Sequence, residues 1–236
     1  MAKEKEALVT HIFTADPSAH VFDGKLYVYP SHDLAHEGED NDEGDEYQME
    51  DYHVLSMDDL DAPCVDNGEA LHMKDVPWVS KQMWAPDCVC KDGVYYLYFP
   101  ARDKEGNFRL GVATSTSPVG PFKPEENYIE GSFSIDPAVL IDDDDEAYIY
   151  FGGLWGGQLE KWVTGTFNPD GAEPKEPGAK AVCPRVAKLN KDMISFAEAP
   201  REIKILDEDG NELLAADEDR RYFEGPWMHK YNGKYY

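Results

Sequence analysis

Asp16, Asp87, Asp136 and Glu224 each head a copy of one short pattern: an acid, an apolar strand, a polar turn ending in Gly or Asp, and a second strand rich in tyrosine. The second strands read Lys25-Leu-Tyr-Val-Tyr29, Val94-Tyr-Tyr-Leu-Tyr-Phe99, Ala147-Tyr-Ile-Tyr-Phe151 and Lys234-Tyr-Tyr236. Carboxyl groups take, hold and return protons near neutral pH once their surroundings drive their pKa values apart. A supersecondary unit that recurs at a coarse period points to a solenoid or a propeller. In a propeller the innermost strand of each blade begins near the central axis, so equivalent positions of different blades converge. Acids far apart in the chain would then face one another across one pocket, an arrangement that suits catalysis.

The elements that must position these acids read as strands. Alternating apolar and polar residues recur at Tyr52–Ser56, Leu110–Ser115, Val182–Leu189 and Glu202–Leu206, so two or three short strands follow each acid-headed unit, about what a four-stranded blade requires. Long helical windows are scarce, and 16 Pro with 19 Gly punctuate the chain throughout. The segment from Thr164 to Gly178 is rich in Pro, Gly and charge and is predicted to be a long loop between strands. No linker divides the sequence, which predicts one all-β domain over residues 1–236. The last repeat stops at Tyr236 inside its second strand, and the expectation is a piece of a longer protein, since an open propeller exposes raw sheet edges.

Composition narrows the partners. With 22 Lys and Arg against 48 Asp and Glu the formal charge is −26, a field that repels nucleic acid and anionic membrane surfaces but is indifferent to a neutral sugar. Much of the charge lies in runs at 36–51, 142–146 and 207–219, read as solvated loops; Gly44 falls one position early for a calcium loop of EF-hand type starting at Asp40. Cys64, Cys88, Cys90 and Cys183 have neither disulfide-framework nor CxxC spacing, and no histidine cluster lies near them in sequence, so zinc is not expected. Free thiols suit a reducing compartment. The start, MAKEKEALVT, has charge but no apolar stretch after it, so the expected location is the cytoplasm without a signal peptide. No apolar run approaches the ~18 residues of a membrane helix.

The sequence resembles the family 43 glycoside hydrolases. Ala15-Asp16-Pro17, Trp84-Ala85-Pro86-Asp87, Ser134-Ile135-Asp136-Pro137 and Glu224-Gly225-Pro226 carry the resemblance, in that order, each at the head of a Tyr-rich hairpin and together spanning nearly the whole chain. The resemblance implies a five-bladed β-propeller, of which about three blades and the start of a fourth are present. It implies cleavage of xylose- and arabinose-containing polysaccharides with inversion at the anomeric carbon. It assigns Asp16 as general base, Glu224 as general acid, and Asp136 as the third carboxylate that orients the acid and raises its pKa. The chemistry of inversion has the same demands: one protonated carboxyl for the leaving oxygen and one ionised carboxylate for the water, ~6.5–9.5 Å apart. A third acid nearby keeps the donor protonated by like-charge repulsion. No cofactor is required by the sequence; the resemblance implies that a calcium ion can occupy the central channel, held by a histidine of the last blade.

Around this trio, Asp87 is a further candidate for the pocket wall by resemblance. Trp84, Trp155 and Phe133 are candidate platforms for a sugar face, since an aromatic ring offers a flat apolar surface. Ser31-His32-Asp33 invites a triad reading, but consecutive strand residues point to opposite faces and cannot form a hydrogen-bonded chain; His32 remains a candidate for the pocket edge. The resulting expectation is an exo-acting β-xylosidase, α-L-arabinofuranosidase or both, acting on short neutral oligosaccharides. Its alternatives are an endo-acting arabinanase or xylanase of the same family and a non-catalytic sugar-binding propeller. Sucrose- and fructan-cleaving propellers carry Arg-Asp-Pro where this chain has Ile135-Asp136-Pro137, which argues against them.

Overall fold

The computed structural model describes residues 7–36 and 40–236; the charged first residues and positions 37–39 of the acidic run lie outside the described residues. Strands β1 (Phe13–Phe22), β2 (Lys25–Asp33), β3 (Asp51–Met57) and β4 (Val65–His72) form one antiparallel sheet in chain order. A second sheet repeats the arrangement with β5 (Asp87–Lys91), β6 (Val94–Arg102), β7 (Phe108–Ser115) and β8 (Lys123–Pro124). A third does so with β9 (Ala138–Ile141), β10 (Ala147–Phe151), β11 (Arg185–Lys188) and β12 (Arg201–Glu202). A hairpin of β13 (Lys230–Tyr231) and β14 (Lys234–Tyr235) begins the fourth unit. Helix among the described residues is limited to three short 3-10 turns, and no helix there is long and apolar enough to cross a membrane.

The repeated turn has a stereochemical cause. Asp23-Gly24, Asp92-Gly93 and Asn232-Gly233 all have positive φ at both central positions, the combination that matches the twist of a two-residue hairpin. The repeated tyrosines have a packing cause. Tyr29 and Tyr98 bury their rings between successive sheets and donate to carbonyls there, Pro118 O (2.7 Å) and Met193 O (2.7 Å), and Tyr52 of β3 does the same with Trp84 O (2.5 Å). One apolar cluster, with Tyr29, Val54, Leu97 and Phe99, joins the first sheet to the second; another, with Tyr98, Val112, Ile149 and Phe151, joins the second to the third. The first strands of the three sheets lie side by side, β1 against β5 and β5 against β9.

Three local expectations change. The strand expected at Glu202–Leu206 contracts to β12, because Leu206 is exposed and only bridges to Glu212. β4 was not foreseen; its Asp66-Asn67-Gly68 stretch is poor in strand formers and pairs with β3 through two register shifts, with the Asn67 amide donating to Val54 O. Asp16 lies inside β1 and not at its edge, at a shift in register between Ala15 and Ser18.

Asp87, expected on the pocket wall, is instead a tie between sheets. Its carboxylate is 1% exposed; Oδ1 accepts from His20 Nε2 of β1 (2.6 Å) and Oδ2 from the Val139 N–H of β9 (2.7 Å). Each oxygen has a protein partner and the group is buried, which puts it out of reach of a ligand. Asp87→Ala should strand one imidazole and one amide at ~1–3 kcal/mol each. The expected loss in urea unfolding is therefore roughly 2–6 kcal/mol, whereas an unchanged midpoint would deny the tie.

Candidate active site

Asp16, Asp136 and Glu224 line one cavity of about 980 Å³. Each stands at a left-handed turn of the backbone: Asp16 has φ 44°, Asp136 φ 56°, and Gly225, directly after Glu224, φ 66°. A positive φ at a non-glycine residue is costly and persists only where the surroundings hold it. Here the surroundings are explicit. Ser31 Oγ donates to Ala15 O (3.1 Å), beside Asp16. Ser134, just before Ile135-Asp136, donates to Gly157 O (2.7 Å) and accepts from the Gly153 N–H (3.0 Å). The Glu224 segment is pinned on both sides, by the Leu154 N–H on Phe223 O (3.0 Å) and by the Gly225 N–H on Asp136 Oδ2 (3.0 Å). Gly153 permits this closeness: a Cβ there would lie 2.6 Å from Ile135 Cδ1 and 3.2 Å from Glu224 Cβ.

The three carboxyls feel one another. Burial pushes Asp136 well above the ordinary carboxylate range, the charges of Glu224 and Asp16 add to it, and the Gly225 N–H opposes them. Desolvation and then the Asp16 charge raise Glu224 as well. Asp136 and Glu224 thus form a pair in which one proton is readily kept. A fourth carboxyl, Asp33 at the end of β2, lines the same cavity; burial and then Asp16 raise it, while His32 opposes the rise. Its Oδ1 is buried and lacks a protein partner.

The acidic run 36–51 is more than a solvated loop in its described part. Gln82 Nε2 donates to Gly44 O (2.6 Å) and Arg102 to Glu43 O (2.7 Å), while Lys81 pairs with Asp45 and Lys161 with Glu43, both at 2.8 Å. These ties fold residues 40–47 against the cavity as one of its walls. Trp84 lines the cavity at 9% exposure beneath this wall; its indole N–H goes to Tyr47 O (3.0 Å), and a Cβ on Gly44 would lie 2.6 Å from its ring. Its ring braces the loop. Trp155 lines the cavity with its face half exposed, packed edge-on against Phe223 with its indole N–H on Glu173.

Besides Asp87, two further candidates fall outside the cavity. Phe133 is buried, stacked on Trp162 and edge-on to Phe151, because the turn at Ser134 (φ 63°) separates it from the acid that follows. His32 is hydrogen-bonded to Asp51 Oδ1 (2.7 Å) away from the cavity; strand alternation gives the cavity its neighbour Asp33 instead. Tyr47, Phe223 and Trp227, all substantially exposed at the cavity, had not been singled out. Trp227, one residue past Glu224-Gly225-Pro226, is the one that its place in the motif would have revealed. Among the described residues that line the cavity there is no histidine to hold the calcium ion that the resemblance implies.

Carboxyls gathered in one cavity that is rimmed by exposed aromatic rings suit acid–base hydrolysis of sugars. Residues 8–236 match the family model of the glycosyl hydrolases family 43, and the chain belongs to that family. It is 62% identical to the xylosidase/arabinosidase 43A of Humicola insolens, over 97% of this chain and 72% of that protein. It is 52% identical to a xylosidase/arabinosidase of Bacteroides ovatus, over 100% of this chain and 73% of that one. Among solved structures, a family 43 β-xylosidase/α-arabinofuranosidase from a compost microbial metagenome, in complex with xylotriose and in calcium-free form, superposes with TM-score 0.95 at 58% identity, covering 98% of this chain and 71% of that one. A family 43 enzyme of Xanthomonas citri complexed with xylose gives TM-score 0.89 at 52% identity, covering 97% and 66%. The chain is a glycoside hydrolase.

A carboxyl whose pKa is raised by folding makes the native state hold its proton more tightly than the unfolded chain does. Stability from such a group therefore falls as pH climbs above the ordinary range near ~4. Asp136→Asn removes the charge and keeps an acceptor for Gly225. The variant should be more stable than the parent at pH 7, with the advantage shrinking as pH falls towards ~4 and gone below it. Urea unfolding at several pH values tests this; an advantage independent of pH would contradict it.

Proposed function

We propose that this protein is an exo-acting, inverting glycosidase that releases xylose and arabinose from the ends of short xylo- and arabino-oligosaccharides. The observation that carries the reading is the cavity that Asp16, Asp136 and Glu224 share. Asp16 takes a proton from the attacking water, Glu224 gives one to the leaving oxygen, and Asp136 orients Glu224 and couples to its titration. The raised Glu224 carboxyl favours the donor role, and the left-handed turn at Asp16 aims its carboxylate into the cavity. An inverting pair stands ~6.5–9.5 Å apart, leaving room for the water.

The wall formed by residues 40–47 favours a pocket over an open groove, and so favours action at chain ends. Tyr47, Trp155, Phe223 and Trp227 offer ring faces and edges to pentose units at its mouth. Relatives 62%, 52% and 50% identical to this chain are named for β-xylosidase or combined xylosidase/arabinosidase activity. Strand order favours three blades and the opening hairpin of a fourth in a single five-bladed propeller domain.

In the intact protein, Glu224→Gln should lower kcat/KM on unactivated xylobiose by about 10²–10⁴-fold, the usual worth of general acid catalysis. A nitrophenyl glycoside, whose leaving group needs little protonation, should lose far less. Equal losses on both substrates would remove Glu224 from the donor role.

A further inference from the structure

Away from the cavity, the first sheet gathers histidine and carboxylate side chains that the proposed reaction does not use. The β2–β3 register, Leu26↔Met57 through Val28↔Leu55, when continued along both strands sets His32 level with Asp51, and His53 follows two residues later. One ring nitrogen of each histidine and one oxygen of Asp51 lie within 4.8 Å of one another. All three side chains are largely shielded from solvent. Distance along the sequence concealed the group, since antiparallel pairing and not local spacing assembles it.

We propose that His32, Asp51 and His53 form a site for a zinc-type divalent cation. The protonation pattern favours it. His53 Nδ1 donates to Asp66, at 3.0 Å from both carboxylate oxygens, so in the neutral ring Nε2 keeps its lone pair. That lone pair faces Asp51 Oδ1 across 4.0 Å. Tetrahedral ligands at about 2.0–2.2 Å from zinc lie roughly 3.4 Å apart, so the two acceptors would draw together slightly on an ion between them. His32 Nδ1 lies 2.7 Å from the same Asp51 oxygen, and a metal would displace the proton they share. Asp66 supplies the outer carboxylate that fixes the ring and tautomer of a metal-bound histidine, and is itself held by His11 Nε2 at 2.7 Å.

An overlapping group, Asp51 with Glu69 and His72, is the weaker choice. His72 Nδ1 already accepts the Lys74 N–H (3.2 Å), so its other nitrogen carries the proton in the neutral ring. Two imidazoles and one carboxylate suit Zn²⁺, Co²⁺ or Ni²⁺, whereas calcium seeks about six to eight oxygens. A fourth position is left for water. The ion would staple β2 to β3 and, through Asp66, to β4. The site is separate from the reaction proposed above and stands or falls without it.

The test is titration of the intact protein, stripped by chelator, with ZnCl2 by calorimetry and with CoCl2 by visible absorption. The expected result is one Zn²⁺ per chain, a rise in Tm with zinc, and the d–d bands of low-coordinate cobalt. Asp66→Asn should weaken zinc about 10–100-fold, as loss of an outer-sphere partner does. His53→Gln and Asp51→Asn should abolish binding, and Glu224→Gln should leave it intact. Absence of saturable zinc binding and of cobalt bands in the parent would overturn the site without reference to any variant's folding. So would binding unchanged in His53→Gln, or binding lost in Glu224→Gln.

Discussion

One buried carboxylate sets the relation of the three sheets. Asp87 at the head of β5 takes the His20 imidazole from β1 with one oxygen and the Val139 amide from β9 with the other. Apolar clusters between the sheets supply most of the burial, but an apolar contact is non-directional and tolerates sliding. Two short hydrogen bonds to one fixed group do not. His20 lies four residues beyond Asp16 and Val139 three beyond Asp136, so the register that Asp87 enforces also sets where those two carboxyls enter the cavity. The remaining acid arrives by a different route: the Gly225 N–H fastens the Glu224 segment directly onto Asp136.

The cavity works against stability. Three carboxyls in mutual electrostatic contact, two of them on strained backbone, are an arrangement that folding alone would avoid. Tyrosine hydroxyls on carbonyls between the sheets, the Ser134 hydroxyl between Gly153 and Gly157, and the cation ties to residues 43–45 hold the frame against that repulsion. The same repulsion, with desolvation, raises the proton affinity of Asp136 and Glu224, which favours donation of a proton. Strain and like charge therefore sit where the chemistry is proposed, and the compensating bonds lie one layer behind.

Much of this was legible in the sequence because it is local. The Asp-Gly and Asn-Gly turns, the tyrosine strands and the acid-headed repeats each lie within about a dozen residues, and Asp16, Asp136 and Glu224 do meet in one cavity. What was not legible depends on pairing across sheets. Asp87 has the same place in its repeat as Asp136, yet the Val139 amide and His20 claim it. Phe133 precedes an acid of the trio, yet Trp162 and Phe151 capture its ring. The acidic run looked like a solvated loop because its cationic partners, Lys81, Arg102 and Lys161, are distant in the chain. Asp33 was set aside together with a triad that strand geometry forbids, although the same alternation that turns His32 away turns Asp33 inward.

The most direct test of an opposed acid and base is the configuration of the first product. Hydrolysis of a β-xyloside by the intact protein, followed by proton NMR before mutarotation, should show α-xylose appearing first, with the β-anomer growing in later. Initial release of β-xylose would mean that the carboxyls act through a covalent intermediate, and would contradict the roles given to Asp16 and Glu224.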